Sequence, residues 1–184
     1  MINPIDLLCN KYDHLQYWFI THKFKTVDCL IDIGAGDHPQ EIIKVRRWQV
    51  LVDPSYETNE YYINGSPYKI KGDWGAALEF LQNQSFDCVT LIDVIEHLKK
   101  TDALKLLSET QKYVRQIVVF TPLGFMGQED GEWNTHRSGW IPSDFKEGWK
   151  GHIFPDFHWC DFKGKAYQYP WPAMLVIWKK EFSA

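Results

Sequence analysis

Apolar positions along this chain fall first at helical spacing and then in short continuous runs. Ile5, Leu8, Tyr12, Leu15 and Phe19 recur in steps of three and four, the stripe of an amphipathic helix. Asn3 followed by Pro4 reads as its start, a capping side chain before a proline at the first helical position. The helix is expected to end between Thr21 and Lys25. Val27 to Ile33 is then a nearly unbroken apolar run closing on glycines, the pattern of a buried parallel strand that feeds a turn. Pro39 to Val45 reads as a second helix start, and Val50 to Val52 as a second strand closing on Asp53-Pro54. Tyr68 to Ile70 predicts a third strand, ending at Gly72-Asp73, and Gly75 to Leu81 a helix. Cys88 to Ile92 predicts a fourth strand. Thr101 is expected to cap a helix with the stripe Leu104, Leu107, Gln111 and Val114, and Ile117 to Phe120 makes a fifth strand.

Strand and helix alternating at this interval imply right-handed crossovers, hence a mostly parallel sheet covered on both faces. His158 to Phe162 and Met174 to Trp178 are strand-like, with Lys163-Gly164-Lys165 as the turn between them. The expected architecture is therefore a Rossmann-like, doubly wound α/β fold with a C-terminal antiparallel hairpin. A length of 184 residues suits one such domain spanning 1–184, in which residues 1–26 form an N-terminal helix.

Composition narrows the picture modestly. The net charge is −4 and the basic residues are scattered, which disfavours a grip on a long phosphate backbone. Cys9, Cys29, Cys88 and Cys160 form no Cys-x-x-Cys pair, and two of them fall inside apolar runs, as reduced buried thiols do. The N-terminus has no basic segment followed by an apolar stretch, so a signal peptide is not expected. The longest plain apolar run, Ala173 to Trp178, is far short of the roughly 20 residues a membrane span requires. A cytoplasmic location is the default expectation. His152, His158 and Cys160 match no standard zinc spacing, so no metal site is expected. Nine Trp, nine Tyr and eleven Phe must be absorbed by the core, by a lid, or by a ligand cleft.

The chemistry gathers at the predicted strand ends. In a doubly wound sheet, ligands bind beyond the carboxyl ends of the strands, where strand order reverses. Four predicted strands close on or near an acid: Asp32, Asp53, Asp73 and Asp93. Gly34 and Gly36 allow a tight turn and a close backbone approach to a ligand. The dinucleotide fingerprint Gly-x-Gly-x-x-Gly would need a glycine where Pro39 stands, which disfavours a nicotinamide or flavin enzyme. The glycine pair by itself also fits a plain strand-to-helix turn.

Taken together, Asp32-Ile-Gly-Ala-Gly-Asp37, Val52-Asp-Pro54, Gly72-Asp-Trp74, the run Phe86 to Leu98 with its Asp-x-x-Glu-His-Leu segment, and Val118 to Pro122 resemble the class I S-adenosylmethionine-dependent methyltransferases, in particular their small-molecule group. The resemblance spans about Val27 to Trp178. It implies S-adenosylmethionine as cofactor, with Asp32, Gly34 and Gly36 beside its methionine portion and Asp53 on the two ribose hydroxyls. It further implies Asp73 on the adenine amino group, Trp74 bordering the base, and Asp93 lining the floor near the methyl group. The family often carries a third glycine where this chain has His38. The resemblance also places acceptor-binding elements in the N-terminal helix and after the fifth strand.

The expected reaction is methyl transfer to a small-molecule or sugar-like acceptor at oxygen or nitrogen. The donor sulfonium is already electrophilic, so the protein's tasks are positioning and removal of an acceptor proton. His97 and His136 are the candidate bases; a packed or capping His97 and a solvated loop His136 are the plainer readings. Arg137 fits an anionic substrate group or an ordinary structural ion pair. Asp93-Val-Ile-Glu differs from the Asn/Asp-Pro-Pro-Tyr run of enzymes that act on nucleobase or amide nitrogen. A non-catalytic binding module on the same fold is the alternative function.

Overall fold

Parallel pairing of apolar strands organises the molecule. A computed structural model describes residues 15, 18–19, 22, 24, 26–37, 39–60, 67–129, 131–160 and 166–180. Seven strands run in chain order: β1 (Val27–Ile33), β2 (Val45–Asp53), β3 (Tyr68–Lys71), β4 (Phe86–Ile92), β5 (Val114–Pro122), β6 (Trp149–Cys160) and β7 (Ala166–Lys179). They form one sheet in the order β3-β2-β1-β4-β5-β7-β6. The first five strands pair in parallel, whereas β7 lies antiparallel to both β5 and β6. The expected mostly parallel sheet with a C-terminal antiparallel pair is thus observed. The predicted turn at Lys163 to Lys165 lies outside the described residues.

Side-chain alternation along the strands sorts the core into two faces. Ile31, Ile33, Val89, Leu91, Ile117 and Val119 point to one face. Helix α1 (Trp74–Asn83) covers it with Ala77, Leu78 and Leu81, and α2 (Lys100–Thr110) with Ala103, Leu106 and Leu107. Leu30, Cys88, Val118, Phe120 and Leu175 point to the other face, where Leu15, Phe19, Ile43 and Phe157 meet them. Leu15 and Phe19 are helical and buried, which fits the N-terminal stripe. Ile5, Leu8 and Tyr12 lie outside the described residues. No helix among the described residues is long and apolar enough to cross a membrane.

Two element expectations are corrected. Residues 39–44 form no helix. The Gln40 N–H donates to Asp32 Oδ2 at 2.9 Å, while its side-chain Oε1 accepts from the Ile43 N–H at 2.8 Å. These side-chain bonds compete with the first helical turn and fold the segment tightly enough to bury Ile43. Helix α2 is also phased differently from the expectation. Lys99 rather than Thr101 is its N-cap, Ala103 and Leu106 face inward, and Leu104 remains 41% exposed. Val114 belongs to β5 instead of the helical stripe.

Candidate active site

Strand order reverses between β1 and β4, because the chain runs outward through β2 and β3 before returning to the other side of β1. A crevice at the carboxyl ends of β1 and β4 is the ligand position such a sheet creates. Pairing brings Asp32 opposite Thr90, and the Thr90 hydroxyl donates to Asp32 Oδ1 at 2.5 Å. With the Gln40 N–H on the other oxygen, both oxygens of Asp32 are engaged by the protein, and the residue is buried. Burial pushes its carboxyl up to about 6, against the opposing pull of those hydrogen bonds. Its direct partners are thus Thr90 and Gln40, which fix the glycine loop to the sheet.

That loop is built on two left-handed glycines, Gly34 with φ 73° and Gly36 with φ 51°. A Cβ on Gly34 would lie 2.5 Å from Val94 Cγ2, so the loop also abuts the segment leaving β4. The Gly34 N–H donates to the Val52 carbonyl at 2.8 Å, and the Gly36 N–H donates to Asp53 Oδ2 at 2.8 Å. Asp53 Oδ1 in turn accepts from the Ser55 N–H at 2.8 Å and the Ser55 hydroxyl at 2.5 Å. The Tyr56 hydroxyl closes the ring of contacts by donating to the Gly36 carbonyl at 2.9 Å. Burial, followed by nearby Asp53, raises the pKa of Tyr56, so its phenol stays protonated and able to donate.

Asp73 stands at the end of β3 as the N-cap of α1, where its Oδ1 accepts from the Gly75 N–H at 2.8 Å and the Ala76 N–H at 3.3 Å. Trp74 is the first residue of that helix and is half-buried, with Lys105 Nζ 5.8 Å from its ring. Asp93 follows β4 and has φ 53°, the one non-glycine in the left-handed region among the described residues. Backbone strain of this kind clusters at ligand clamps and active sites. His38 lies outside the described residues.

Across the crevice, the chain after Asp93 makes a short 3-10 turn, Ile95–His97. The segment after β5 folds back onto it: the N–H groups of Arg137 and Ser138 both donate to the Glu96 carbonyl, at 2.7 and 3.0 Å. This brings the two expected histidines together, with ring centroids 4.8 Å apart in an edge-to-face arrangement. His136 is buried rather than solvated, its Nδ1 2.5 Å from the Met126 carbonyl. His97 Nδ1 lies 3.4 Å from the Thr135 carbonyl. Burial, and then the neighbouring His136, pull the His97 pKa down to about 4, so its ring is neutral at physiological pH. Arg137 staples the segment: its guanidinium donates to the carbonyls of His97, at 2.7 Å, and of Glu132. Trp140 is fully buried and its indole N–H donates to Ser138 Oγ, which itself bonds the Ile95 carbonyl.

Several supporting residues escaped the sequence reading. Ser55 carried a usable signal, since Asp-Pro-Ser is a turn in which the aspartate bonds two residues ahead. Gln40, Tyr56 and Thr121 carried none. Glu96 stood inside the motif with no role assigned, yet it is 2% exposed and accepts from the Thr121 hydroxyl at 3.0 Å.

No known family model matches the sequence, and no curated protein matches it. Solved structures do match. An S-adenosylmethionine-dependent methyltransferase from Archaeoglobus fulgidus superposes with a TM-score of 0.57 at 18% identity, over 92% of this chain and 94% of that one. The small RNA methyltransferase HEN1 gives 0.55 at 14% identity, over 94% of this chain and 25% of that one. Magnesium protoporphyrin IX methyltransferase from Synechocystis, solved with S-adenosylmethionine bound, gives 0.56 at 10% identity, over 98% and 86%. At these identities the likeness is one of fold: the chain has the Rossmann-like methyltransferase architecture.

Proposed function

We propose that the chain binds S-adenosylmethionine across the carboxyl ends of β1 to β4 and transfers its methyl group to a small-molecule or sugar-like acceptor at oxygen or nitrogen. The observation that carries this reading is the convergence of Gly34, Gly36, Asp53 and Asp93 on the point where strand order reverses. Asp53 suits the ribose hydroxyls by position. By lone-pair count it has about four acceptor directions, of which three are taken in this structure. The ribose diol would therefore enter as the Ser55 hydroxyl turns aside. Asp73 keeps one oxygen beyond its capping bonds for the adenine amino group, with Trp74 beside it. Gly34 and Gly36 keep the backbone close to the methionine portion, on a loop held by Asp32.

When bound, the cofactor supplies an electrophilic methyl group on sulfur. The protein then has to hold the acceptor in line, exclude water and dispose of a proton. Asp93 borders the floor of the crevice, and His97, neutral at physiological pH, stands with His136 at its acceptor side. The fold neighbours named above act on acceptors as different as a small RNA and a porphyrin, so the small-molecule class rests on this chain's own surface. Its net charge of −4 and scattered basic residues suit a small acceptor better than a polyanion. Incubation with methyl-labelled S-adenosylmethionine and a panel of hydroxylated and amine metabolites tests the activity. Label transfer to one chemical class is expected. Cofactor binding with no transfer to any member would instead favour a non-catalytic module.

A further inference from the structure

We propose that Glu96, His97 and His136 form a site for a divalent transition-metal cation on the acceptor side of the crevice, which departs from the expectation of a metal-free protein. One donor atom from each residue lies within 4.8 Å of those of the other two. Two donors on opposite sides of one ion stand about 4.2 Å apart and adjacent ones about 3 Å, so side-chain movements of about 1 Å close the triad. Their settings suit ligation. Both rings have Nδ1 facing a backbone carbonyl, of Thr135 for His97 and of Met126 for His136. An Nδ1–H donated to a carbonyl leaves the lone pair on Nε2, the tautomer that binds metal and the supporting bond that orients such ligands. Glu96 is oriented in the same way by the Thr121 hydroxyl.

The set is assembled from distant sequence. His136 reaches Glu96 only because Arg137 and Ser138 bond the Glu96 carbonyl and Arg137 clamps the His97 carbonyl. Two imidazoles and one carboxylate favour Mn2+, Fe2+, Co2+ or Zn2+ over Mg2+ or Ca2+, and three protein ligands leave coordination positions open. On the methyltransferase reading, which the role of this cation presupposes, an open position would take an acceptor hydroxyl. The cation lowers that hydroxyl's pKa and its proton leaves to water. The oxygen then forms a bond to the methyl carbon as the carbon–sulfur bond breaks, its electron pair remaining on sulfur in the thioether product. The imidazoles serve here as ligands rather than bases, and the acceptor class narrows to hydroxylated compounds.

Co2+ titrated into the metal-stripped full chain, without cofactor, tests the site by its visible d–d absorption. The expected result is one equivalent bound with a spectrum of nitrogen and oxygen ligation, and affinity at least tenfold weaker in both Glu96→Gln and His136→Gln. S-adenosylhomocysteine is titrated separately into the metal-free protein. Its affinity should be unchanged by these variants, so loss of metal binding and loss of cofactor binding report independently. No stoichiometric Co2+ binding to the wild type, or binding indifferent to both variants, overturns the site. Should a variant fail to fold, protection of wild-type His97 and His136 from diethylpyrocarbonate by Co2+ replaces it, and modification unaffected by the metal overturns the proposal equally.

Discussion

Asp32 shows how one residue couples stability to the cofactor loop. Its carboxyl is buried and holds its proton up to about pH 6, whereas in the unfolded chain it ionises near 3.8. The folded state therefore binds more protons between those values, and stability falls as pH rises through that window, then levels off above it. The shift corresponds to a loss on the order of 3 kcal/mol. Asn at this position keeps an acceptor for the Gln40 N–H and a partner for Thr90, but does not titrate. Urea denaturation of wild type and Asp32→Asn across pH 4 to 7 should show that loss in the wild type and a flatter profile in the variant. Parallel profiles would mean that the carboxyl ionises in the folded protein as it does in water.

At the scale of elements, the segment between β5 and β6 is held in place by its own Trp140 and by Lys100 of α2. Trp140 sits fully buried with its N–H on Ser138 Oγ, and the Lys100 Nζ bonds the Gly139 carbonyl at 2.7 Å and Asp144 Oδ2 at 2.5 Å. Phe125 and Trp133, by contrast, are about half exposed. Trp140→Ala should cost about 3–5 kcal/mol and increase hydrogen exchange at Arg137 and Ser138, whose N–H groups hold the loop to Glu96. A global loss with no change at those two amides would show that the loop is anchored elsewhere.

The central parallel strands were legible in the sequence because both faces of the sheet are buried there, which makes β1 and β4 apolar runs. β1 and β4 were found nearly whole for that reason, whereas β2 opens on exposed Arg46 and Arg47 and the edge strand β3 is only partly buried. The stretch 39–44 was misread as helix because Pro39 and the apolar pair Ile42-Ile43 imitate a helix start. What decides its path is Gln40 bonding to Asp32 and Ile43, an interaction that no periodicity records. The site divides similarly. Asp53 and the glycines are local features at strand ends and could be read one by one. The meeting of Glu96, His97 and His136 could not, because it depends on where the segment after β5 returns.

For the molecule as a whole, the proposed cofactor crevice lies across the carboxyl ends of β1 to β4, with Asp53 as its hub on the β2 side. Asp53 joins Gly36, Ser55 and, through its backbone carbonyl, the Gly72 N–H at 3.2 Å. Removing its carboxylate should thus disturb both the ribose contact and the glycine loop while the sheet remains intact. Isothermal titration of S-adenosylhomocysteine into the wild type and Asp53→Ala, with circular dichroism to verify folding, is the most direct test. One equivalent should bind the wild type, competitively with S-adenosylmethionine, and the variant should bind more weakly by about 1–3 kcal/mol. No binding to the wild type, or equal affinity in a folded Asp53→Ala, would contradict it.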